Sequence, residues 1–273
     1  MKILNLFKYT ALFAVTLWLA GCATQTNATK KPYYFFPSPP DDPRLQFLTG
    51  FSSEKDLRGG KEEKTLMTFL TGARPPTKDF AKPYGAAVAN HKLYVCDTDA
   101  GAVLVVDLQT KRVGVLGTQG ESALVLPLNI ATDSDGNSYV ADASRNQVII
   151  FDKDGNYVTA LGKTGEMKPR DVAVDKNKIY IVDLQSHSVR VFDRATRNLL
   201  LELPAPEERT NRVRGLFAPT NLAIDSKGQI YVADTGAWRI QVYDADGKFV
   251  RSIGQMGDSL GQFARVKGIA IDR

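Results

Sequence analysis

The 273-residue chain is poor in the side chains that most often do chemistry. It holds two cysteines, two histidines, two tryptophans and four methionines. Two cysteines cannot staple a disulfide-dense scaffold, and two histidines cannot supply a three-His metal site. There is no Cys-x-x-Cys pair, no Cys-x-x-Cys-His haem attachment motif, no His-x-x-x-His pair and no glycine-rich phosphate loop. Dense runs of Lys or Arg are missing too. With 35 basic and 30 acidic side chains the net charge is +5, too mild and too dispersed to point to nucleic acid. The N-terminal apolar run is shorter than the ~20 residues a transmembrane helix needs. What remains, 43% hydrophobic and 24% charged, is the composition of a globular protein long enough to bury a sizeable core.

Residues 1–21 read as an export signal. Lys2 and Lys8 give the positive start, Tyr9 to Ala20 the apolar stretch, and Thr24 to Asn27 the polar exit. Leu19-Ala20-Gly21-Cys22 resembles the bacterial lipobox. That resemblance implies a mature chain beginning at Cys22, acylated there by chains such as palmitate and held to a membrane. Several chains anchor firmly, because each buried CH₂ contributes ~0.8 kcal/mol. Ala23, not Asp, follows the cysteine, and by resemblance to Gram-negative lipoproteins this favours the outer membrane, with the domain on the periplasmic side. Without the two signal lysines the net charge falls to +3. Cys96 is then the remaining thiol and is expected to be a small buried hydrophobe.

Residues 22–43 turn from polar to proline-rich, with Pro32, Pro37, Pro39 and Pro40, as in a stiff spacer. Tyr33-Tyr34-Phe35-Phe36 interrupts it. Four consecutive aromatics either meet the membrane interface or dock on the domain, and docking is the preferred expectation. Residues 44–81 form a pre-domain: a strand over Arg44–Phe51, a charged loop over Lys55–Lys64, and one or two helical turns over Thr65–Leu70, stopped by Ala73-Arg74-Pro75-Pro76.

From residue 82 to 273 the chain repeats itself. Pro83, Pro127, Pro169 and Pro219 each open a β-branched run, at spacings of 44, 42 and 50 residues, and a fifth copy starts at Val266. A second run follows and ends in aspartate: Asp97, Asp142, Asp183, Asp234. A third ends in Asp107, Asp152, Asp193 and Asp244, and a fourth follows, as in Tyr157–Gly162 and Phe249–Gly254. Turns such as Asp135-Gly136-Asn137 and Asp246-Gly247 are hairpin signals. Four short strands per ~45 residues are the signature of a β-propeller blade, so the fold class is all-β with four-stranded antiparallel blades.

Tyr231-Val232-Ala233-Asp234-Thr235-Gly236-Ala237-Trp238-Arg239-Ile240-Gln241-Val242-Tyr243-Asp244 resembles an NHL repeat, and Asp142 to Asp152 and Asp183 to Asp193 resemble it well. With the lipobox, this resembles the bacterial lipoproteins of six-bladed NHL propeller type. Four copies and the start of a fifth fall short of six blades, so the expectation is a C-terminally truncated copy with an incomplete ring.

The aspartates present in every repeat are expected to shape turns. Function belongs where repeats differ. One varying column enters the innermost strand: Tyr84, Leu128, Arg170, Thr220 and Lys267, beside Gly85, Asn129, Asp171, Asn221 and Gly268. The other sits in the second-to-third-strand hairpin: Gly101, Asn146, His187 and Trp238. The NHL resemblance implies that both face one end of the ring. Arg170, Asn129, Asp171, Asn221, His187 and Trp238 are therefore the candidate ligand- or partner-binding residues, set against plain turn-capping and packing roles.

Two functions stand. The first is a non-enzymatic binding or scaffold module for a protein or peptide partner in the cell envelope, with no cofactor. The second is a divalent-metal-dependent propeller enzyme, lactonase- or lyase-like by resemblance. Asn129, Asp171 and Asn221 would then offer oxygen ligands to Ca²⁺ or Mg²⁺ in the central channel. No residue stands out as a catalytic nucleophile or base.

Overall fold

The computed structural model describes residues 34–38, 40–59, 78–163 and 165–271. The expected export signal, Cys22, Tyr33, most of the expected spacer, the turns expected at Thr65–Leu70 and Asp272 lie outside the described residues. The chain divides into two compact units, residues 1–50 and 51–273.

In the first unit β1 (Tyr34–Phe36) pairs antiparallel with β2 (Leu45–Phe47). Tyr34 faces Phe47 and Phe36 faces Leu45 across the pair, and the rings of Tyr34 and Phe47 meet edge-on at 6.3 Å. Three of the aromatics read as an interruption of a tether are thus a strand. The strand expected over Arg44–Phe51 is confined to Leu45–Phe47, because β1 offers only three residues to pair with.

The second unit opens with a helical turn, α1 (Glu54–Leu57), where a loop was expected. The Ser53 side chain accepts the Asp56 N–H, an N-cap that the charged composition disguised. Four four-stranded antiparallel sheets follow. The first blade is β3 (Pro83–Ala89), β4 (Lys92–Asp97), β5 (Ala102–Asp107) and β6 (Val113–Leu116). The second is β7 (Pro127–Thr132), β8 (Ser138–Asp142), β9 (Gln147–Phe151) and β10 (Tyr157–Leu161). The third is β11 (Pro169–Val174), β12 (Lys178–Asp183), β13 (Ser188–Asp193) and β14 (Leu199–Leu203). The fourth is β15 (Pro219–Ile224), β16 (Ile230–Asp234), β17 (Arg239–Tyr243) and β18 (Phe249–Ile253). In each blade the strands pair in chain order, because every connection is a short hairpin. Gly136, Gly155, Gly228 and Gly247 supply the positive φ these turns need.

The core lies between blades. Val140, Ile149 and Phe151 pack with Val103 of the first blade, while Ile150 packs with Val172 and Ile181 of the third. Val182 and Val191 pack with Val232 and Tyr243 of the fourth. Both faces of a central blade are buried, which is why its strands read as continuous apolar runs. Phe51, Leu57 and Phe80 cover Leu104, Val106 and Val113 of the first blade. The fifth repeat start is not a paired strand: Val266–Ile271 has no ladder partner among the described residues. It is held at Val266, which is buried and whose carbonyl accepts from Thr235 Oγ1 at 2.5 Å.

The aspartate columns serve the blades. Asp97, Asp142, Asp183 and Asp234 are fully buried. Asp142 accepts the N–H groups of Val125, Leu126, Ser144 and Arg145. It ties the entry of its innermost strand to the hairpin after its second. Asp97 does the same with Ala81, Lys82, Asp99 and Ala100. A second column receives the repeated tyrosines: Tyr139 donates to Asp133 at 3.0 Å and Tyr180 to Asp175 at 2.8 Å. Cys96 is buried, and burial pushes its thiol far above the ordinary value, so it is inert packing.

Where the first two blades meet, Gly85 lies against Asn129. A Cβ on Gly85 would overlap Asn129 Oδ1 and the Leu128 carbonyl oxygen, both of the next blade. Gly85→Ala is expected to cost about 1–3 kcal/mol by forcing the seam apart, read as a lower midpoint in urea unfolding. An unchanged midpoint would mean the seam is looser than the structure shows.

Candidate functional site

The register places the start of each innermost strand beside the end of its neighbour: Pro127 opposite Asp142, Pro169 opposite Asp183, Pro219 opposite Asp234. The entries to the inner strands and the second-to-third-strand hairpins therefore share one end of the blades, here called the entry end.

The innermost strands β3, β7, β11 and β15 lie side by side and wall a cavity of about 430 Å³. Asn129, Asp171 and Asn221 line it together, with Tyr84 and Lys267. The column read from the sequence is thus a real cluster. Its polar atoms are directed at neighbouring blades. Asn129 Nδ2 donates to the Arg170 carbonyl of the third blade at 3.3 Å. The Asp171 carboxylate accepts the Val172 N–H on one oxygen and the Leu222 N–H on the other, both at 2.9 Å. The second oxygen also accepts from Asn221 Nδ2 at 3.3 Å. The three side chains form a belt of bonds between blades. Burial pushes the Asp171 carboxyl up to about 7, against the downward pull of the Leu222, Val172 and Asn221 donors.

Tested as a cation site, the cluster has one charged donor, and both its oxygens already accept N–H groups. Asn221 turns its amide nitrogen toward that donor. Among the described residues no three His, Cys, Asp or Glu side chains lie close enough to share an ion. The donor set fits a hydrogen-bonded belt better than a Ca²⁺ shell of six or more oxygens.

The other three candidates stand elsewhere. Arg170 enters the belt through its backbone carbonyl; its side chain is half-buried and is not part of the cavity wall. His187 and Trp238 occupy equivalent hairpin positions with Gly101 and Asn146, all left-handed, with φ from 50° to 58°. His187 Nδ1 hydrogen-bonds to the Phe217 carbonyl oxygen. Trp238 lines a groove of about 570 Å³ with Phe217, Arg209, Arg212 and Arg239. Thus the expected ring of six separates into a channel belt and a groove beside residues 204–218.

That loop is braced from below. Gln241, fully buried, donates through Nε2 to the Gly215 carbonyl at 3.0 Å. Arg239 donates to the same carbonyl at 2.7 Å. Tyr243 in turn donates to Gln241 Oε1 at 2.6 Å. Gly215 leaves no room for a Cβ against the Arg209 and Asn211 carbonyl oxygens, so the loop folds tightly over the fourth blade. Phe217, Arg209 and Arg212 were missed in the sequence. The available signal was the 50-residue spacing before Pro219, whose extra length holds Arg209, Arg212 and Arg214.

Residues 115–204 match a family model described as a 6-bladed beta-propeller, and residues 218–243 match the NHL repeat. The chain has the NHL β-propeller fold. Relatives of this propeller include NHL repeat-containing protein 2 of Bos taurus. It is 27% identical over 189 residues, which are 65% of this chain and 23% of that one. Peptidyl-glycine alpha-amidating monooxygenase B of Xenopus laevis is 30% identical over 166 residues, 55% of this chain and 19% of that one. The NHL propeller thus spans about a fifth of the length of these curated relatives. Among solved structures it superposes on a streptogramin B lyase at a TM-score of 0.51 and 16% identity. That match covers 62% of this chain and 53% of that one, and it is a likeness of fold.

Proposed function

We propose that this NHL propeller is a non-enzymatic binding module of the cell envelope. In this reading lipid on Cys22 holds it to a membrane, the outer membrane in a Gram-negative cell, and the entry end of the blades meets a protein or peptide partner. One observation carries the reading. Large apolar side chains stand in water at that end: Tyr84 is 61% exposed, Phe217 67% and Trp238 38%. Aromatic side chains held on a rigid frame are the usual anchors of protein interfaces. Asp171, the carboxylate that lines the channel, is meanwhile engaged with backbone N–H groups. No cofactor is required.

The test is site-specific photo-crosslinking in the native membrane. A photoreactive residue at Phe217 should give a discrete adduct, and one at Lys227, on the opposite end, should give none. Adducts from both positions alike, or from neither, would contradict the reading. Cys22→Ser should abolish palmitate incorporation and release the protein from the membrane fraction; retention would contradict the anchor.

A second reading, a divalent-metal-dependent enzyme of lactonase or lyase type, is favoured by one feature. A buried carboxyl held near neutrality in a cavity is the kind of group used for proton transfer. Ca²⁺ or Mg²⁺ at Asn129, Asp171 and Asn221 would require Asp171 to release Leu222 and Asn221.

A further inference from the structure

We propose that the groove beside Trp238 takes an acidic peptide, with an aromatic side chain between Phe217 and Trp238 and a neighbouring carboxylate on Arg212. This rests on the binding reading above and narrows it to a ligand class.

The first observation is conformational. Every blade closes its second hairpin with a left-handed residue, and two blades use Gly101 and Asn146, which adopt that conformation readily. The fourth blade uses Trp238 at φ 53°. A bulky side chain there is an outlier that works against folding. The ring is only partly covered, so packing does not account for it. Strain held at an exposed aromatic is the pattern of a binding residue.

Charge gives the second observation. Arg209, Arg212 and Arg239 stand on the groove walls, and among the described residues no carboxylate side chain does. Arg209 is paired with Glu202, and Arg239 with buried Asp234 through Nε at 3.5 Å and with the Gly215 carbonyl. Arg212 is exposed and has no acidic partner among the described residues. A carboxylate entering the groove would meet Arg212, the one groove guanidinium without an acidic partner among the described residues, and Arg binds carboxylate in fork geometry. Nucleic acid needs an extended basic track, which Glu207 and Glu208 interrupt in this loop, whereas a single carboxylate needs one free arginine.

The test uses the full-length protein in detergent and calorimetric titration with hexapeptides. In one set an aromatic residue is flanked by glutamates, in the other by lysines, each to 1 mM. A single-stranded oligonucleotide is the third arm. The glutamate set is expected to bind, more tightly at low salt, and the lysine set at least tenfold more weakly. Trp238→Gly and Arg212→Glu should each weaken binding tenfold or more. Trp238→Gly should also melt no lower than the parent, because glycine suits the left-handed position. No heat from any peptide, equal binding of both sets, preference for the oligonucleotide, or a lowered melting point in Trp238→Gly would overturn the proposal. If the peptides fail while Phe217 still crosslinks, the ligand class falls and the binding end stands; if both fail, both fall.

Discussion

Asp171→Asn is expected to make the protein more stable at pH 8 and to leave it nearly unchanged at pH 4. In the unfolded chain this carboxyl titrates near 3.9, whereas in the folded protein burial raises it to about 7. Between those values the folded state holds a proton that the unfolded state has lost, so stability falls as pH rises through the window. Above it both states are ionised, and the folded state carries a buried charge. At 1.36 kcal/mol per pH unit the ceiling of that penalty is about 4 kcal/mol. Asparagine is neutral throughout and can still accept the Leu222 N–H, but it cannot accept on both sides as the carboxylate does. The expected gain at pH 8 is therefore about 1–3 kcal/mol. Urea unfolding of parent and variant at pH 5 and pH 8 checks it. A difference that does not grow with pH would mean that Asp171 stays solvated in the folded state.

Asp142→Ala should have the opposite sign and a larger size. Its carboxylate is fully buried and accepts four backbone N–H groups from two segments, at 2.6 to 3.1 Å. Alanine leaves those donors without partners inside the blade. At about 1–3 kcal/mol for each buried group left unmade, and with some donors reaching water after relaxation, the loss should be about 3–5 kcal/mol. Asp154→Ala, which removes an exposed pair with Lys153, should change stability by less than about 0.5 kcal/mol. A small loss for Asp142→Ala would show that the column is ornamental to the fold. The same column shapes the acid limb. Burial pushes the Asp97 carboxyl up, but the N–H groups of Ala100, Lys82, Ala81 and Asp99 together hold it below its ordinary value. Its contribution is present above about pH 4 and is lost as pH falls through the folded value. Asp171 and Asp97 therefore tilt the pH profile in opposite directions.

The blades were legible because their determinants are local. A β-branched run, a turn with glycine at positive φ and an aspartate that caps its own hairpin all lie within a few residues of one another. The repetition then fixed which columns belong to the scaffold and which vary. The belt was legible as a column, Asn129, Asp171 and Asn221, but not as a belt. Its partners, the Arg170 carbonyl and the Leu222 N–H, lie 41 and 51 residues away and are backbone groups that leave no mark in composition. The same limit hid the groove. Phe217 and Trp238 line one groove because Asp234 accepts the Phe217 N–H while Gln241 and Arg239 hold the Gly215 carbonyl onto the fourth blade. The pairing of Tyr34–Phe36 with Leu45–Phe47 was hidden for another reason. Three-residue strands are too short to show alternation.

In the binding reading, the side chains of Asn129, Asp171 and Asn221 link neighbouring blades without an ion, and the partner meets the exposed aromatics of the entry end. Melting temperatures of the parent and Asp171→Asn in Ca²⁺, Mg²⁺ and EDTA test it most directly. No shift is expected with either ion at millimolar concentration, and Asp171→Asn should melt higher than the parent at pH 8 in all three conditions. An ion-dependent rise in the parent that Asp171→Asn abolishes would contradict it and make the channel a metal site.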